Sequence, residues 1–419
     1  MGDVMKLSIP PALTHRKYFY LWLGLLISIA GSQMQVAAIH WHIRELTDKP
    51  NPLALGGIGL ARIVPVIVFS FVGGAVADSY DRRKILFITQ TVLAVEALAL
   101  AALTFSGRVE IWHIYALTAL QASASAFDLP ARQAMVPNLV SREHLTSAFS
   151  MNSIAFNTGA ILGPLFFGFI PAGGQGYAYL LDAISFMAVL IALILMGHTP
   201  QDLKRAEGVN VRSVWNGMRF IGSHPLIMST MVMDFIATFF ASANTMLPIV
   251  ARDILNVGKS GYSWLVSAQA IGSVAAGVAV SQARELRRQG PIFIGAVILF
   301  GAMTVWFGFS RAFLPALLAL TIMGAADAVS TIIRNTIRQL QTPDHIRGRM
   351  TSVNQLFFQG GPQLGEVESG IVAALFGVPF AIVSGGIGCI VGLLIVLRRW
   401  PQLIAYSGDE PMLIAVPAD

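Results

Sequence analysis

The sequence predicts an all-α membrane protein of twelve transmembrane helices in two pseudo-symmetric six-helix bundles, and three observations predict it. The 419 residues are 55% apolar and only 12% charged, about half the roughly 25% charge of a soluble domain, with a mean hydropathy of +0.67. Apolar runs recur along the whole chain, and at roughly 35 residues per span plus connection about twelve fit. The two halves also repeat one another. Soluble enzymes, disulfide scaffolds and disordered chains are excluded by this composition.

Charges, Pro and Gly bound the apolar runs at 17–44, 53–77, 85–106, 111–136, 144–170 and 175–197 in the first half. In the second half they fall at 225–251, 260–284, 290–311, 313–340, 346–376 and 378–399. Each is long enough for a membrane helix. The first fifteen residues contain no apolar signal core, so span one is expected to stay as an anchor. The expected organisation is a bundle over 1–197, a cytoplasmic linker over 198–224, a bundle over 225–400 and a tail over 401–419. In the linker Val211, Val214, Trp215, Met218, Phe220 and Ile221 alternate with Arg212, Asn216 and Arg219, the pattern of an interfacial amphipathic helix. The single cysteine, Cys389, lies in an apolar run and reads as a small buried hydrophobe.

Lys and Arg near span ends resist translocation. With both termini cytoplasmic, 21 of the 28 basic residues fall on the inner side. The formal charge of +6 is therefore spread over short clusters at span ends, facing anionic lipid. It forms no continuous basic face of the kind that binds nucleic acid, so no nucleic-acid partner is expected.

Shifting the chain against itself aligns Gly74-Ala75-Val76-Ala77 with Gly277-Val278-Ala279-Val280, and Ala131-Arg132-Gln133 with Ile337-Arg338-Gln339. Pro137, Arg142 and Ser147 then match Pro343, Arg347 and Ser352, and Gly163-Pro164 matches Gly361-Pro362. Two similar six-span halves can rock about a site between them, which is a transporter signature.

Between spans two and three, Gly73-Gly74 precede Asp78, Asp81, Arg82, Arg83 and Lys84. Two carboxylates beside three cations either form a cytoplasmic gate network that holds one bundle against the other, or belong to an ordinary positive-inside loop. Gly74 to Lys84 resembles the loop motif of the major facilitator superfamily; its counterpart in the second half has Ser281 at the acidic position. Phe127-Asp128-Leu129-Pro130-Ala131-Arg132-Gln133, Pro137, Arg142, Asn152, Phe156-Asn157, Gly163-Pro164 and the stretch Gln363 to Gly370 resemble the enterobactin-exporter-like branch of that superfamily. Ala160 departs from the branch, which is expected to carry Arg before the Gly-Pro, so a substrate contact assigned to that Arg is absent here. The resemblance covers roughly 14–400. It implies that spans 1, 4, 7 and 10 line a central cavity, that spans 3, 6, 9 and 12 are outermost, and that a siderophore or other small amphiphile is exported at the expense of a proton gradient.

Ionisable groups within spans cost about 2.5–3.5 kcal/mol each on insertion scales, so each one needs a reason. Gln121, Ser125, Asp128 and Arg132 share one face of span four, and Asp327, Thr331, Arg334 and Arg338 hold the same spacing in span ten. These are read as pathway residues, the arginines alternatively as snorkelling to the interface. Asp234 in span seven and Asp327 are candidate proton-coupling carboxylates or structural hydrogen-bond partners, and Gln35 in span one is placed with them. The resemblance also implies that spans two and eleven face each other, so Arg62 in span two is expected to pair with Glu366 or Glu368 of span eleven as an outer gate. The cytoplasmic gate is assigned to Asp78, Asp81, Arg82, Arg83, Arg132, Arg142, Arg338 and Arg347. Glu96 and Asp182, in outermost spans, are read as structural. His40-Trp41-His42 is read as an interfacial belt, because an i, i+2 pair on a helix points to different faces.

The expected function is secondary active transport by alternating access in a bacterial inner membrane. The expected substrate is a siderophore or drug-like compound, protons are the coupling ion, and the protein works as a monomer with no cofactor, no metal and no enzymatic activity. The alternatives are a solute importer or lipid transporter of the same fold, or, in another class, a membrane enzyme or non-transporting sensor.

Overall fold

Without water to bond to, a spanning backbone closes its hydrogen bonds internally, which favours helices; the described residues contain helices and no strand. The computed structural model describes residues 10–201, 218–240, 243–283 and 287–408, without the side chains at 70, 71, 75, 78, 344–349, 351–353 and 355–359. The side chains of Asp78 and Arg347, and residues 211–217 of the expected linker helix, lie outside that description.

The long helices are α1 (Arg16–Glu45), α2 (Pro52–Ser79), α3 (Arg82–Phe105), α4 (Ile111–Met135), α5 (Leu145–Phe169) and α6 (Gln175–Met196). The second half supplies α7 (Pro225–Phe240), α8 (Gly258–Gln282), α9 (Gln289–Phe309), α10 (Phe313–Leu340), α11 (Asp344–Phe376) and α12 (Val378–Arg399). From Ala243 short helical turns lead to a π-helical turn, Val250–Ile254. Nine helical segments among the described residues are long and apolar enough to cross a membrane. The apolar runs of α4 and α5 are broken by Gln121, Asp128, Asn152 and Asn157, and α11 contains residues whose side chains lie outside the description.

The chain divides into two units, Met1–Ile39 with Pro65–Gly208, and His40–Val64 with Val209–Asp419. The division after Gly208 falls inside 198–224, but His40–Val64, assigned by sequence to the first bundle, groups with the second. Proline in a helix interior removes a hydrogen bond and weakens the rod, and Pro65 sits at this boundary in α2. Glycines on either side let the two parts of α2 pack closely on different partners. A Cβ on Gly73 would lie 2.2 Å from the Ala126 carbonyl of α4, whereas one on Gly59 would lie 2.4 Å from the Gln363 carbonyl of α11.

In the first unit, Tyr18, Leu21, Ala131, Met135, Ala148, Val189 and Leu193 share a core. The Tyr18 hydroxyl donates to the Ala148 carbonyl at 2.7 Å and the Trp22 indole to the Met151 carbonyl at 2.8 Å, tying α1 to α5. In the second, Met233, Phe293, Ile333, Ile337, Cys389 and Leu393 form the core. Outward, Ile67, Ile88, Val95, Ile184, Ile194, Ile298 and Leu394 are exposed, as expected of surface that meets acyl chains.

Candidate functional site

The spacing that puts Asp327, Thr331, Arg334 and Arg338 on one face of α10 is used by the second unit to build a buried charge cluster. Arg334 lies 3.2 Å from Asp234 of α7 and 3.6 Å from Asp327, and donates to the Thr331 hydroxyl at 2.6 Å. Arg338 donates to the other Asp234 oxygen at 3.1 Å and to Asn354 of α11. Asp234, Arg334 and Arg338 are 2–3% exposed, while Asp327 is half-exposed. Two carboxylates thus balance two guanidiniums. Balanced charge does not mean full hydrogen bonding: Nε and Nη1 of Arg334, Nε of Arg338 and, on the acceptor side, Oδ1 of Asp234 have no hydrogen-bond partner. Arg338, expected at the cytoplasmic gate, is held in this cluster by Asp234 and Asn354, and neither arginine snorkels.

The corresponding face of α4 is used differently. Asp128 accepts from Thr89 at 2.9 Å and Gln90 at 2.8 Å, both on α3, and from Arg132 one turn along α4. These donors turn Asp128 toward α3 and bury it, while Gln121 stays half-buried. Gln35 donates to both Glu96 oxygens at 3.2 and 3.1 Å, joining α1 to α3.

At the ends of α2, α3, α4 and α6 the expected gate residues bond within the first unit. Asp81 caps α3, accepting from the Arg83 backbone at 2.9 Å and from Gln201 at 3.0 Å. Arg82 donates to the Ala134 carbonyl and Asn138, and Arg83 to the Leu193 carbonyl at 2.8 Å. These guanidiniums satisfy carbonyls left free at helix C-termini, and the bonds described for Asp81, Arg82 and Arg83 tie the ends of helices within the first unit. Arg142 is exposed.

In the second unit, segment His40–Val64 carries two ion pairs. Arg62 lies 3.8 Å from Glu366; Glu368, the other expected partner, is half-buried and two residues on, which turns it to a different face of α11. Gly56 brings the helices close here, since its Cβ would lie 2.9 Å from Gly370. The stronger pair was missed by sequence reasoning. Arg44, 4% exposed, grips Asp253 through Nε at 2.7 Å and Nη2 at 2.5 Å. The available signal was a basic and an acidic residue at equivalent ends of spans one and seven, which the repeat relates. His40, Trp41 and His42 are buried, with Trp41 5.2 Å from the Tyr262 ring, so they form no interfacial belt.

Comparison with known proteins agrees with this architecture. The family model for transmembrane secretion effectors matches residues 9–406. The chain is similar to the enterobactin exporter EntS of Citrobacter koseri, 24% identical over 95% of this chain and 97% of that protein. The EntS of Salmonella typhimurium is 24% identical over 93% and 95% respectively. Among solved structures, a bacterial homologue of the human lysosomal transporter Spinster, inward-facing and unoccupied, superposes with a TM-score of 0.70 at 13% identity, covering 95% of this chain and 97% of that one. A D-xylose-proton symporter gives 0.68 at 14%, covering 92% and 98%. Twelve long helices among the described residues, the internal repeat and a family match over nearly the whole length lead to one conclusion: the chain belongs to the transmembrane secretion effector family of major facilitator transporters, multi-pass membrane proteins and not enzymes.

Proposed function

We propose that this protein is a proton-coupled exporter of a siderophore such as enterobactin, or of a similar small amphiphile. It works as a monomer by alternating access in a bacterial inner membrane, with both termini cytoplasmic. The observation that carries the reading is the set of spare donors on buried Arg334. Siderophores hold iron through hard oxygen donors, and an oxygen-rich ligand supplies the acceptors that Arg334 lacks. The similarity to enterobactin exporters supports the substrate class and the outward direction.

Alternating access requires contacts that break. The Arg62–Glu366 and Arg44–Asp253 pairs, both on segment His40–Val64, serve as the outer gate. Gln35, Gln121, Asp128, Asp234, Asp327 and Arg334 belong to the pathway, and Asp78, Asp81, Arg82, Arg83, Arg132, Arg142 and Arg347 to the cytoplasmic side. The basic asymmetry of the sequence supports this orientation.

The test compares intracellular and released siderophore in a strain lacking this gene, complemented with wild type or with Arg334→Gln. Export predicts intracellular accumulation on deletion, rescue by wild type and none by the variant. Unchanged release on deletion overturns the export reading, and reduced uptake on deletion would favour an importer.

A further inference from the structure

The charge cluster of the second unit is left with three unpartnered donors against one unpartnered acceptor, Asp234 Oδ1, whereas the first unit holds a buried cluster in which only acceptors are left over. Glu96 of α3 is 1% exposed and Asp182 of α6 is 0% exposed. Both reach the same turn of α1, Glu96 through Gln35 and Asp182 through Gly31 and Ser32, four and three residues earlier. Gln35, 0% exposed, donates its amide to Glu96. Ser185 and Ser32 lie 3.1 and 3.4 Å from Asp182 Oδ1. A Cβ on Gly31 of α1 would lie 2.7 Å from that same oxygen, so the bare helix face is what admits the carboxyl beside α1.

No Lys, Arg or His among the described residues makes an ion pair with either carboxyl; the described pairs involve other acids. The nearest titratable groups along the surrounding helices are His40 on α1, Tyr115 with the Asp128–Arg132 pair on α4, and Tyr179 on α6, with no other acid or base on α3 between Lys84 and Glu96. Asp128 and Arg132 neutralise each other. The two atoms left without a partner are both acceptors, Gln35 Oε1 and Asp182 Oδ2. Gln35 is aimed into the cluster by its amide bonds to Glu96. Two buried carboxylates with no counter-charge are prohibitively costly in low dielectric, and like-charged carboxyls at close quarters share protons instead. Each orphaned acceptor asks for a hydrogen. The composition of the site therefore specifies a small cation, and a proton satisfies it without further ligands.

We infer that Glu96 and Asp182, with Gln35, form the binding site of the coupling proton, in the first unit and apart from the arginine cluster of the second. A proton from water adds to one carboxylate oxygen, reduces the pair's charge from two to one, and leaves as a proton when the site next meets water. This inference rests on the proton-coupled reading above and names its site.

Two measurements on the full chain test it. In detergent, infrared spectra of wild type minus Glu96→Gln/Asp182→Asn isolate the protonated carboxyl band of this pair. A band that disappears on alkaline titration supports the site. No band, a band indifferent to pH, or a band abolished at constant pH by sodium chloride but not choline chloride overturns it, the last by assigning the site to sodium. In proteoliposomes, labelled enterobactin is followed with and without an imposed pH gradient. Glu96→Gln and Asp182→Asn are expected to lose gradient-driven accumulation while keeping gradient-free exchange, which also reports that they fold. Retained gradient-driven accumulation, or loss of exchange as well, overturns the inference alone. Wild type that ignores the pH gradient overturns the proton-coupled reading, and the inference with it.

Discussion

Replacing Asp234 by Asn keeps the shape of the second unit's charge cluster and removes the one carboxylate that both arginines share. Asp234 sits 3.2 Å from Arg334 and 3.1 Å from Arg338. At an effective dielectric near 20, each contact corresponds to about 5 kcal/mol of Coulomb attraction, much of it offset by the cost of desolvating the ions. Removing one partner of a buried pair therefore costs about 3–5 kcal/mol net. Before substitution the cluster is neutral, two acids against two bases; afterwards one positive charge is uncompensated, because Asp327 is the remaining acid. At about 2–4 °C per kcal/mol for a unit of this size, Asp234→Asn should lower the Tm in detergent by about 6–20 °C. Thermal unfolding followed by tryptophan fluorescence measures it. Adding Arg338→Met restores neutrality, and the double variant should recover most of the loss. A single variant that melts with wild type, or a double variant that melts lower than the single, refutes the reasoning that Asp234 is held by its two arginines.

Two further outcomes follow from the geometry. Arg62→Glu and Glu366→Arg should each lower transport, and the combined swap should restore a measurable part of it in an efflux assay; a swap no better than either single variant removes the pair from the gate. Gly73→Ala should destabilise the protein by about 1–3 kcal/mol of overpacking and so lower the Tm, because its Cβ would lie 2.2 Å from the Ala126 carbonyl. Gly74→Ala, with nothing within 4 Å, should leave the Tm unchanged, and equal behaviour of the two variants contradicts the α2–α4 crossing.

Much of the fold was legible because its cause is local. An apolar run bounded by Arg82-Arg83-Lys84 and Gly107 is a spanning helix whatever surrounds it, and α3 begins at Arg82 with Asp81 capping it. The Arg62–Glu366 contact was within reach because the resemblance places spans two and eleven side by side. Helical spacing also found the polar stripes of α4 and α10. It could not find their partners: the same intervals lead Asp128 to Thr89 and Gln90, but Arg334 and Arg338 to Asp234. Spacing reports which residues share a face, and says nothing of what that face meets.

By itself the sequence determined the helices, the repeat and the scarcity of charge that makes each buried ion informative, since these follow from the free energy of single segments in a bilayer. Only the tertiary structure decided which ions are matched. It gave Asp234 two arginines, Arg44 a bidentate partner in Asp253, and Glu96 and Asp182 none among the described residues. It also split α2 at Pro65 between two units. The physical reason is common to all of these: a buried charge takes its energy from groups a few ångströms away in space, and helix packing brings those together from positions far apart in the chain.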